Sequence, residues 1–234
     1  VIDDFSTGKF DNMNPAVWFR TLDLTDPRLD DVVAEFAPEA VVHLAAQTSV
    51  PASVADPERD RFVNVEGTRA VARAARKAGA RRILSASSAA IYGEPEVIPL
   101  PETAAKRPEN PYGRSKLDAE TAIAEELRGS DTDFACLRFA NVFGPRQDAE
   151  GEGGVVAIFA SRMQAKVPPT LYGDGTQTRD FIYVGDVVAA IMAALDAPGP
   201  LALEGDDGPA YNSGTGVELT VEELASAMRL AARY

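Results

Sequence analysis

Short apolar runs alternate along this chain with longer stretches in which apolar positions recur every three or four residues. Ala40-Val41-Val42-His43-Leu44 and Arg82-Ile83-Leu84-Ser85 are brief and apolar at successive positions, the pattern of strands buried on both faces. Between them, Asp56-Pro57-Glu58 predicts a helix start, with Asp as N-cap and Pro in the first turn. That helix should run to about Lys77 and stop at Gly79. Strand, helix and strand in this order make one βαβ unit. A second cycle follows, a helix near Tyr112–Leu127 leading into a strand over Phe134–Phe139. Repeated βαβ units predict an α/β fold, a doubly wound parallel sheet covered by helices on both faces.

After Asn141 the rhythm changes. Gly151-Glu152-Gly153-Gly154 opens a helix over Val155–Lys166, and Pro168-Pro169 ends it. Short strands are expected near Thr170–Tyr172 and Phe181–Val184, then a helix over Asp186–Leu195 and a loop over Asp196–Pro209. Tyr211–Gly216 reads as a strand entering a turn. Thr220-Val221-Glu222-Glu223 is a capping box for a last helix that should reach the chain end. This half reads as a smaller lobe built on the sheet domain.

Composition narrows the field. The 234 residues are 45% hydrophobic and 25% charged, which suits a globular protein and excludes disorder as the main state. No run approaches the ~18 apolar residues of a membrane span. With 36 acidic and 23 basic side chains the net charge is −13, which argues against nucleic acid and anionic membrane as partners. The single cysteine, Cys136, has no partner for an internal disulfide and reads as a small core side chain. The acidic opening Val1-Ile2-Asp3-Asp4 is unlike a secretory signal, so a cytoplasmic location is expected. No metal site is expected. His43, the one histidine, lies within a strand and reads as a satisfied core residue.

Chemistry concentrates in Tyr112-Gly113-Arg114-Ser115-Lys116, preceded by Ser87-Ser88. Tyr and Lys four apart share one helix face. An ammonium beside a phenol favours phenolate, so Lys116, helped by a cofactor's positive charge, should lower the pKa of Tyr112 from its reference of ~10. A Ser88 hydroxyl from a strand end could then hold an alcohol oxygen that Tyr112 deprotonates while hydride departs.

At this point the chain resembles the extended short-chain dehydrogenase/reductase family, and within it the NAD-dependent epimerase/dehydratase enzymes. The resemblance rests on blocks in order: Asp3-Asp4-Phe5-Ser6-Thr7-Gly8, His43-Leu44-Ala45-Ala46-Gln47, Asn64-Val65-Glu66-Gly67-Thr68 and Ser87-Ser88-Ala89-Ala90-Ile91-Tyr92-Gly93. It continues through Pro111–Lys116, Leu137–Arg146, Gly173-Asp174-Gly175, Thr178–Val184 and Gly214-Thr215-Gly216. It implies a Rossmann domain over 1–141, with 177–197 returning to it, and a substrate-binding lobe made of 142–176 and 198–234.

The resemblance also implies roles. Asp3 would bind the adenosine ribose hydroxyls of NAD, its charge disfavouring a 2′-phosphate. Asp4, Ser6, Thr7 and Lys9 would line the same end of the cofactor. Asp23 and Leu24 would flank adenine, an ordinary Asx turn being the alternative for Asp23. Leu44, Ala45 and Ala46 would pass close to the pyrophosphate and ribose. Asn64 would lie beneath the cofactor; the alternative is a solvated helix residue. Tyr112 and Lys116 would contact the nicotinamide ribose end, and Ser88 the reacting oxygen. Asn141 and Arg179 would hold a substrate diphosphate, with Val155 and Val156 offering helix amides and Tyr172 stacking on uracil. For Arg179 the alternative is a surface ion pair with Asp180.

Two departures stand out. The Gly-rich phosphate loop of the family is absent; the family's first strand, Gly-rich turn and helix would precede Val1, and the family continues beyond Tyr234. After Ser88 come Ala89 and Ala90, where the family's dehydratases carry an acidic pair and its decarboxylases keep a Glu. Two alanines offer no acid, which leaves epimerisation: 4-epimerisation of a UDP-hexose, UDP-glucose and UDP-galactose first. UDP-GlcNAc remains open, UDP-glucuronate is disfavoured by Asp148, and a non-catalytic NAD- or nucleotide-sensing module is the reading from another class. A homodimer is implied, pairing helices over Arg59–Lys77 and Tyr112–Leu127 into a four-helix bundle, which the alanines at 70, 72, 74 and 75 would let pack closely.

Overall fold

The computed structural model describes residues 1–149, 154–201 and 208–232. Parts of two expected segments, the Gly-rich opening at 151–153 and the loop at 202–207, lie outside them, as does the end of the last helix at 233–234. Four strands form a wholly parallel sheet in the order β3 (Ala40–His43), β4 (Arg82–Ser88), β5 (Asp133–Phe139), β9 (Ala210–Ser213). β1 (Ile2–Asp3) and β2 (Arg20–Thr21) pair in parallel beside it. β9 falls in the stretch that the sequence assigns to the lobe, yet it completes the sheet by pairing with β5.

The alternation of strand side chains covers both faces. Ile83 and Cys136 point to one side, where Ala72, Ala75, Ile123 and Leu127 bury them. Leu84, Ala135 and Leu137 point to the other, against Ile182, Val187 and Ile191. The second group shows α7 (Val184–Asp196) returning to the sheet. A third cluster seats α1 (Leu29–Phe36) through Leu29 on Ala70, Val71 and Ala74.

The helix expected from Asp56 to Lys77 forms, with a change of winding inside it. Asp56 caps α3 (Pro57–Arg61) by accepting from Arg59 N, Phe62–Glu66 follows as a π-helical turn, and α4 (Gly67–Lys77) completes the rod. A single π turn inserts one residue into the α ladder and is common at functional sites. The turn buries Asn64 and Val65. The alanines at 70, 72, 74 and 75 are also buried, in the subunit's own core and not on an outer face, because α4 must lie close to the sheet and to α1.

No strand forms at Thr170–Tyr172. Pro168 and Pro169 cannot donate to a ladder, and a turn with positive φ at Gly173 and Gly175 follows at once. Leu171 instead packs with α6 (Val155–Gln164) and α8 (Val221–Ala232). The short strand lies further on, as β7 (Thr178–Arg179) paired antiparallel with β10 (Leu219–Thr220). β6 (Asn141–Phe143) pairs in parallel with β8 (Phe181–Tyr183). The capping box at α8 is made: Thr220 N donates to Glu223 Oε2 at 2.8 Å, and Glu223 N to Thr220 Oγ1 at 3.0 Å.

α5 (Pro111–Leu127) begins at Asn110, whose Oδ1 accepts from Gly113 N at 2.8 Å. It is fastened to the sheet by buried polar contacts. Arg138 of β5, 1% exposed, donates to both oxygens of Glu120 at 2.9 and 2.7 Å, and Ser87 of β4 donates to Glu120 as well. Arg138 continues to the Tyr92 hydroxyl at 2.8 Å, which donates to Asn212 of β9 at 2.7 Å. Replacing Glu120 with Ala strands a buried guanidinium and should cost about 3–5 kcal/mol in urea unfolding. The exposed Arg76–Glu126 pair, at 2.8 Å, should cost at most about 1 kcal/mol when Arg76 is replaced by Ala.

Candidate active site

The carboxyl ends of the parallel strands place the chemistry. β4 delivers Ser88 beside the first turn of α5, where Tyr112 and Lys116 lie one turn apart. That turn approaches the Ala89–Ile91 turn so closely that a Cβ on Gly113 would stand 2.6 Å from Ala90 O, so only glycine fits there. Tyr112 N donates to Ser53 Oγ at 3.1 Å, which anchors the helix start on α2 (Val50–Ala55). Ser88 and the Tyr112 phenol line the same cleft, and Ser88 acts on the phenol to lower its pKa. Lys116 Nζ sits 5.9 Å from the Tyr112 ring centroid and donates to Ala86 O at 3.0 Å.

The electrostatics differ from the sequence expectation in one respect. Burial holds the Tyr112 phenol above its ordinary value; Ser88 opposes this, and the charge of Asp60 adds to it. Lys116 spends its ammonium on a backbone carbonyl and does not lower the phenol in the unliganded chain. Burial also brings Lys116 itself down to about 8, against the opposing pull of Asp60, Cys136 and Glu120. His43 is a core residue as expected: its Nε2 lies 2.9 Å from Thr68 Oγ1, and burial, with Lys116 nearby, pushes it down to about 3, so it is neutral.

On the cofactor side, Asp3 ends β1. Its Oδ1 accepts from Phe5 N at 2.7 Å, and a Cβ on Gly8 would come within 2.9 Å of the same oxygen, so the loop folds tightly around the carboxylate. Its Oδ2 accepts nothing among the described residues, an acceptor left for ribose hydroxyls. Leu44 stands 55% exposed after β3, an apolar side chain on the same edge, followed by the small Ala45 and Ala46. This tight loop, acceptor and apolar ledge fit NAD. Asp4 accepts from Ser6 N and Oγ, and Thr7 is exposed beside them. Lys9 forms an exposed ion pair with Asp148 at 2.9 Å. Asp23 makes the Asx turn, accepting from Thr25 N and Oγ1, while Leu24 packs against Gly67.

Asn64 is not a solvated helix residue. It is 2% exposed and holds the loop after β3 from both sides, accepting from Gln47 N at 2.8 Å and donating to Gln47 O at 3.0 Å. It also donates to Ser115 Oγ at 3.0 Å, joining that loop to α5.

A cleft of about 1010 Å³ opens in front of Tyr112 and Ser88. Asn141, Val155, Val156 and Arg179 line it with them, so six of the expected residues share one wall. Tyr172 does not join them; it is 80% exposed, outside that lining. Arg179 donates to Thr178 O at 2.6 Å and forms no ion pair with Asp180. Asp180 is instead a residue that sequence reasoning missed. Its carboxylate gathers Thr215 N, Thr215 Oγ1 and Gly216 N at 2.7–3.0 Å, and Gly214 has no room for a Cβ, which would lie 2.5 Å from Asp180 Oδ2. Ser53, Gln47 and Asp60 were also missed. Asp60 and Asn64, one turn apart on a helix, carried the only sequence signal among them.

A parallel sheet with an acidic residue at one strand end and a Ser/Tyr/Lys group at another defines a dinucleotide-dependent α/β enzyme class. The chain belongs to the NAD dependent epimerase/dehydratase family, whose sequence model matches residues 1–212. It is 40% identical over 233 residues to the UDP-glucose 4-epimerase of Mycolicibacterium smegmatis, covering 97% of this chain and 72% of that one. Its fold matches the UDP-glucose 4-epimerase of Thermotoga maritima, solved with UDP-glucose, with a TM-score of 0.89 and 36% identity over 100% of this chain and 74% of the other. The UDP-N-acetylglucosamine 4-epimerase of Methanobrevibacter ruminantium, solved with UDP-N-acetylmuramic acid, matches with the same score at 31% identity, again covering 100% and 74%. No helix among the described residues is long and apolar enough to cross a membrane.

Lys116 gives a signed test of this electrostatic picture. The folded chain binds Lys116's proton less tightly than the unfolded chain, so burying the ammonium costs stability below about pH 8. That cost fades as pH rises from about 8 towards 10.5. The wild-type chain should therefore gain stability relative to Lys116→Met as pH rises from about 8 towards 10.5, by on the order of 2 kcal/mol. Urea unfolding at both pH values reads the difference.

Proposed function

We propose that this chain carries the active site of an NAD-dependent 4-epimerase of UDP-hexoses, with UDP-glucose and UDP-galactose as the first choice of substrate pair. The observation that carries the reading is that Ser88 and Tyr112 line one cleft of about 1010 Å³, with Lys116 one helix turn behind, 5.9 Å from the Tyr112 ring centroid. Bound NAD supplies a reversible hydride acceptor, so no external reductant is consumed.

Tyr112 takes the proton of the sugar 4-hydroxyl as C4 is oxidised, and gives it back after the 4-keto sugar has presented its other face. Ser88, in the same cleft wall, orders the reacting oxygen. Lys116 stabilises the phenolate and holds the nicotinamide ribose. Asp3 takes the adenosine ribose, with Asp4, Ser6, Thr7 and Lys9 around it and Asp23 and Leu24 beside adenine. Leu44, Ala45 and Ala46 let the backbone approach the pyrophosphate, and Asn64 holds their loop. Asn141 and Arg179 bind the substrate diphosphate in front of the first amides of α6 at Val155 and Val156, with Tyr172 reaching the uracil. A Rossmann unit over 1–141 and 177–197 and a lobe over 142–176 and 198–234 divide these tasks, with β9 completing the sheet. The reading locates the reaction in the cytoplasm.

UDP-N-acetylglucosamine is the second reading for the sugar, favoured by the equal structural likeness to an epimerase of that name. Incubating the purified full-length protein with UDP-galactose, and separately with UDP-N-acetylgalactosamine, without added cofactor should yield the C4 epimer in the first case. Tyr112→Phe should reduce turnover by at least about 10²-fold while the affinity for UDP stays within a few-fold of wild type. Retained turnover would remove Tyr112 from the mechanism.

We also propose a homodimer that pairs α4 and α5 with their copies in a four-helix bundle. Phe62, 53% exposed at the head of this helix pair, is an apolar side chain such a contact would cover. Sedimentation at twice the subunit mass is the expected result, and Phe62→Glu should shift it towards the monomer.

A further inference from the structure

Asp60 is a buried carboxylate to which the reading above gives no task. It lies in α3, 1% exposed, one turn before Asn64. Its Oδ1 accepts from Gln47 Nε2 at 2.6 Å and from Asn64 Nδ2 at 3.2 Å, while its Oδ2 is buried with no hydrogen-bond partner. Burying a carboxylate oxygen in this way is costly unless a positive charge close by offsets it.

Lys116 has the complementary deficit. It is 7% exposed, its ammonium donates to the Ala86 carbonyl, and it forms no ion pair among the described residues. The groups that face it can be taken in turn. Glu120, on its own helix, has both oxygens occupied by Arg138. Cys136, from β5, is held as a neutral thiol because burial raises it far above the ordinary range. His43, from β3, is neutral, and Tyr112, on the same helix turn, keeps its proton. That leaves Asp60, on the helix packed against α5, as the facing carboxylate among the described residues whose second oxygen has no partner.

We propose that Asp60 is a positioning residue of this active site, whose carboxylate holds Lys116 as an ammonium and so sets the pH window in which Tyr112 exchanges its proton. The inference rests on the reading of Tyr112 and Lys116 as the proton-transfer pair. Two opposing consequences follow from one charge. Burial brings Lys116 down to about 8, and Asp60 is the largest effect resisting that fall. The same charge pushes Tyr112 upward, alongside burial and against Ser88. Asp60 therefore moves both titrations in one direction, delaying the loss of the phenol proton and of the ammonium proton together. A residue that only braced the fold would not do this.

Asp60→Asn keeps an oxygen for the Gln47 and Asn64 donors and removes the charge. In the unliganded full-length protein, with carbon-13 in tyrosine and lysine, the titrations of Tyr112 and Lys116 should both move to lower pH. Each unit of movement is a tenfold loss of ammonium above the midpoint. Asp60→Glu, which keeps the charge, should bring both midpoints back towards wild type. Midpoints that stay in place in Asp60→Asn, whatever happens to stability, overturn the proposal. If Asp60→Asn does not fold, Asp60→Ser, smaller and also uncharged, supplies the same measurement: the Tyr112 and Lys116 midpoints must again move to lower pH, and unchanged midpoints overturn the proposal equally. None of these readings requires turnover. Failure of the epimerase assay and failure of the Asp60 coupling are thus separate results.

Discussion

The attachment of α5 to the parallel sheet is the constraint on which the site depends. Tyr112 and Lys116 are useful only if their helix is held in one rotation and at one height over β4. Apolar packing alone is non-directional and tolerates sliding. Here the direction comes from buried polar contacts: Glu120 bound through both oxygens to Arg138 and reached by Ser87, and Lys116 on the Ala86 carbonyl. At the other end of the helix, Asn110, Ser53 and the close approach of Gly113 to Ala90 fix the first turn. Burying the Arg138–Glu120 pair carries a large desolvation cost, and its return is a fixed geometry more than net stability.

The same economy governs the charges near the phenol. Neutral groups are kept neutral by burial, as His43 and Cys136 illustrate. The charges that remain are arranged in pairs, one for architecture and one for chemistry. Arg138 and Glu120 satisfy each other at hydrogen-bond distance, so little of their field is left over. Lys116 and Asp60 do not touch, and each keeps an unfilled valence that a ligand or a proton movement could use.

Much of this was readable from residue order. The strands at 40 and 82, the helix with Asn110 before it and the capping box at Thr220 follow from local rules of period and termination, and each appears in the structure, although the strand at 40 is an edge strand with Val42 38% exposed and not buried on both faces. Ser88, Tyr112, Asn141, Val155, Val156 and Arg179, each named through the motif blocks, line one cleft. What escaped was set by tertiary contact. Thr170–Tyr172 looks like a strand until its prolines and glycines are weighed against a ladder that would need their N–H groups and regular φ. The alanines of α4 resemble a contact stripe, but the sheet and α1 claim them. Ser53 and Asp180 act on backbone amides 59 and 35 residues away, and no local pattern announces such contacts. In the unliganded chain burial outweighs Lys116 at the Tyr112 phenol, because spacing gives proximity and says nothing of dehydration.

The π turn at Phe62–Glu66 has a consequence for how this helix can change. Adding or removing a residue turns everything on one side of the change by about 100° relative to the other. Deleting Val63 would let the rod wind regularly and lengthen its unbroken ladder, a gain for the helix as an isolated object. It would also swing the Asp60 side chain out of the interior, away from Gln47 and Asn64. The irregular winding thus keeps Asp60 in the interior at the expense of a regular ladder.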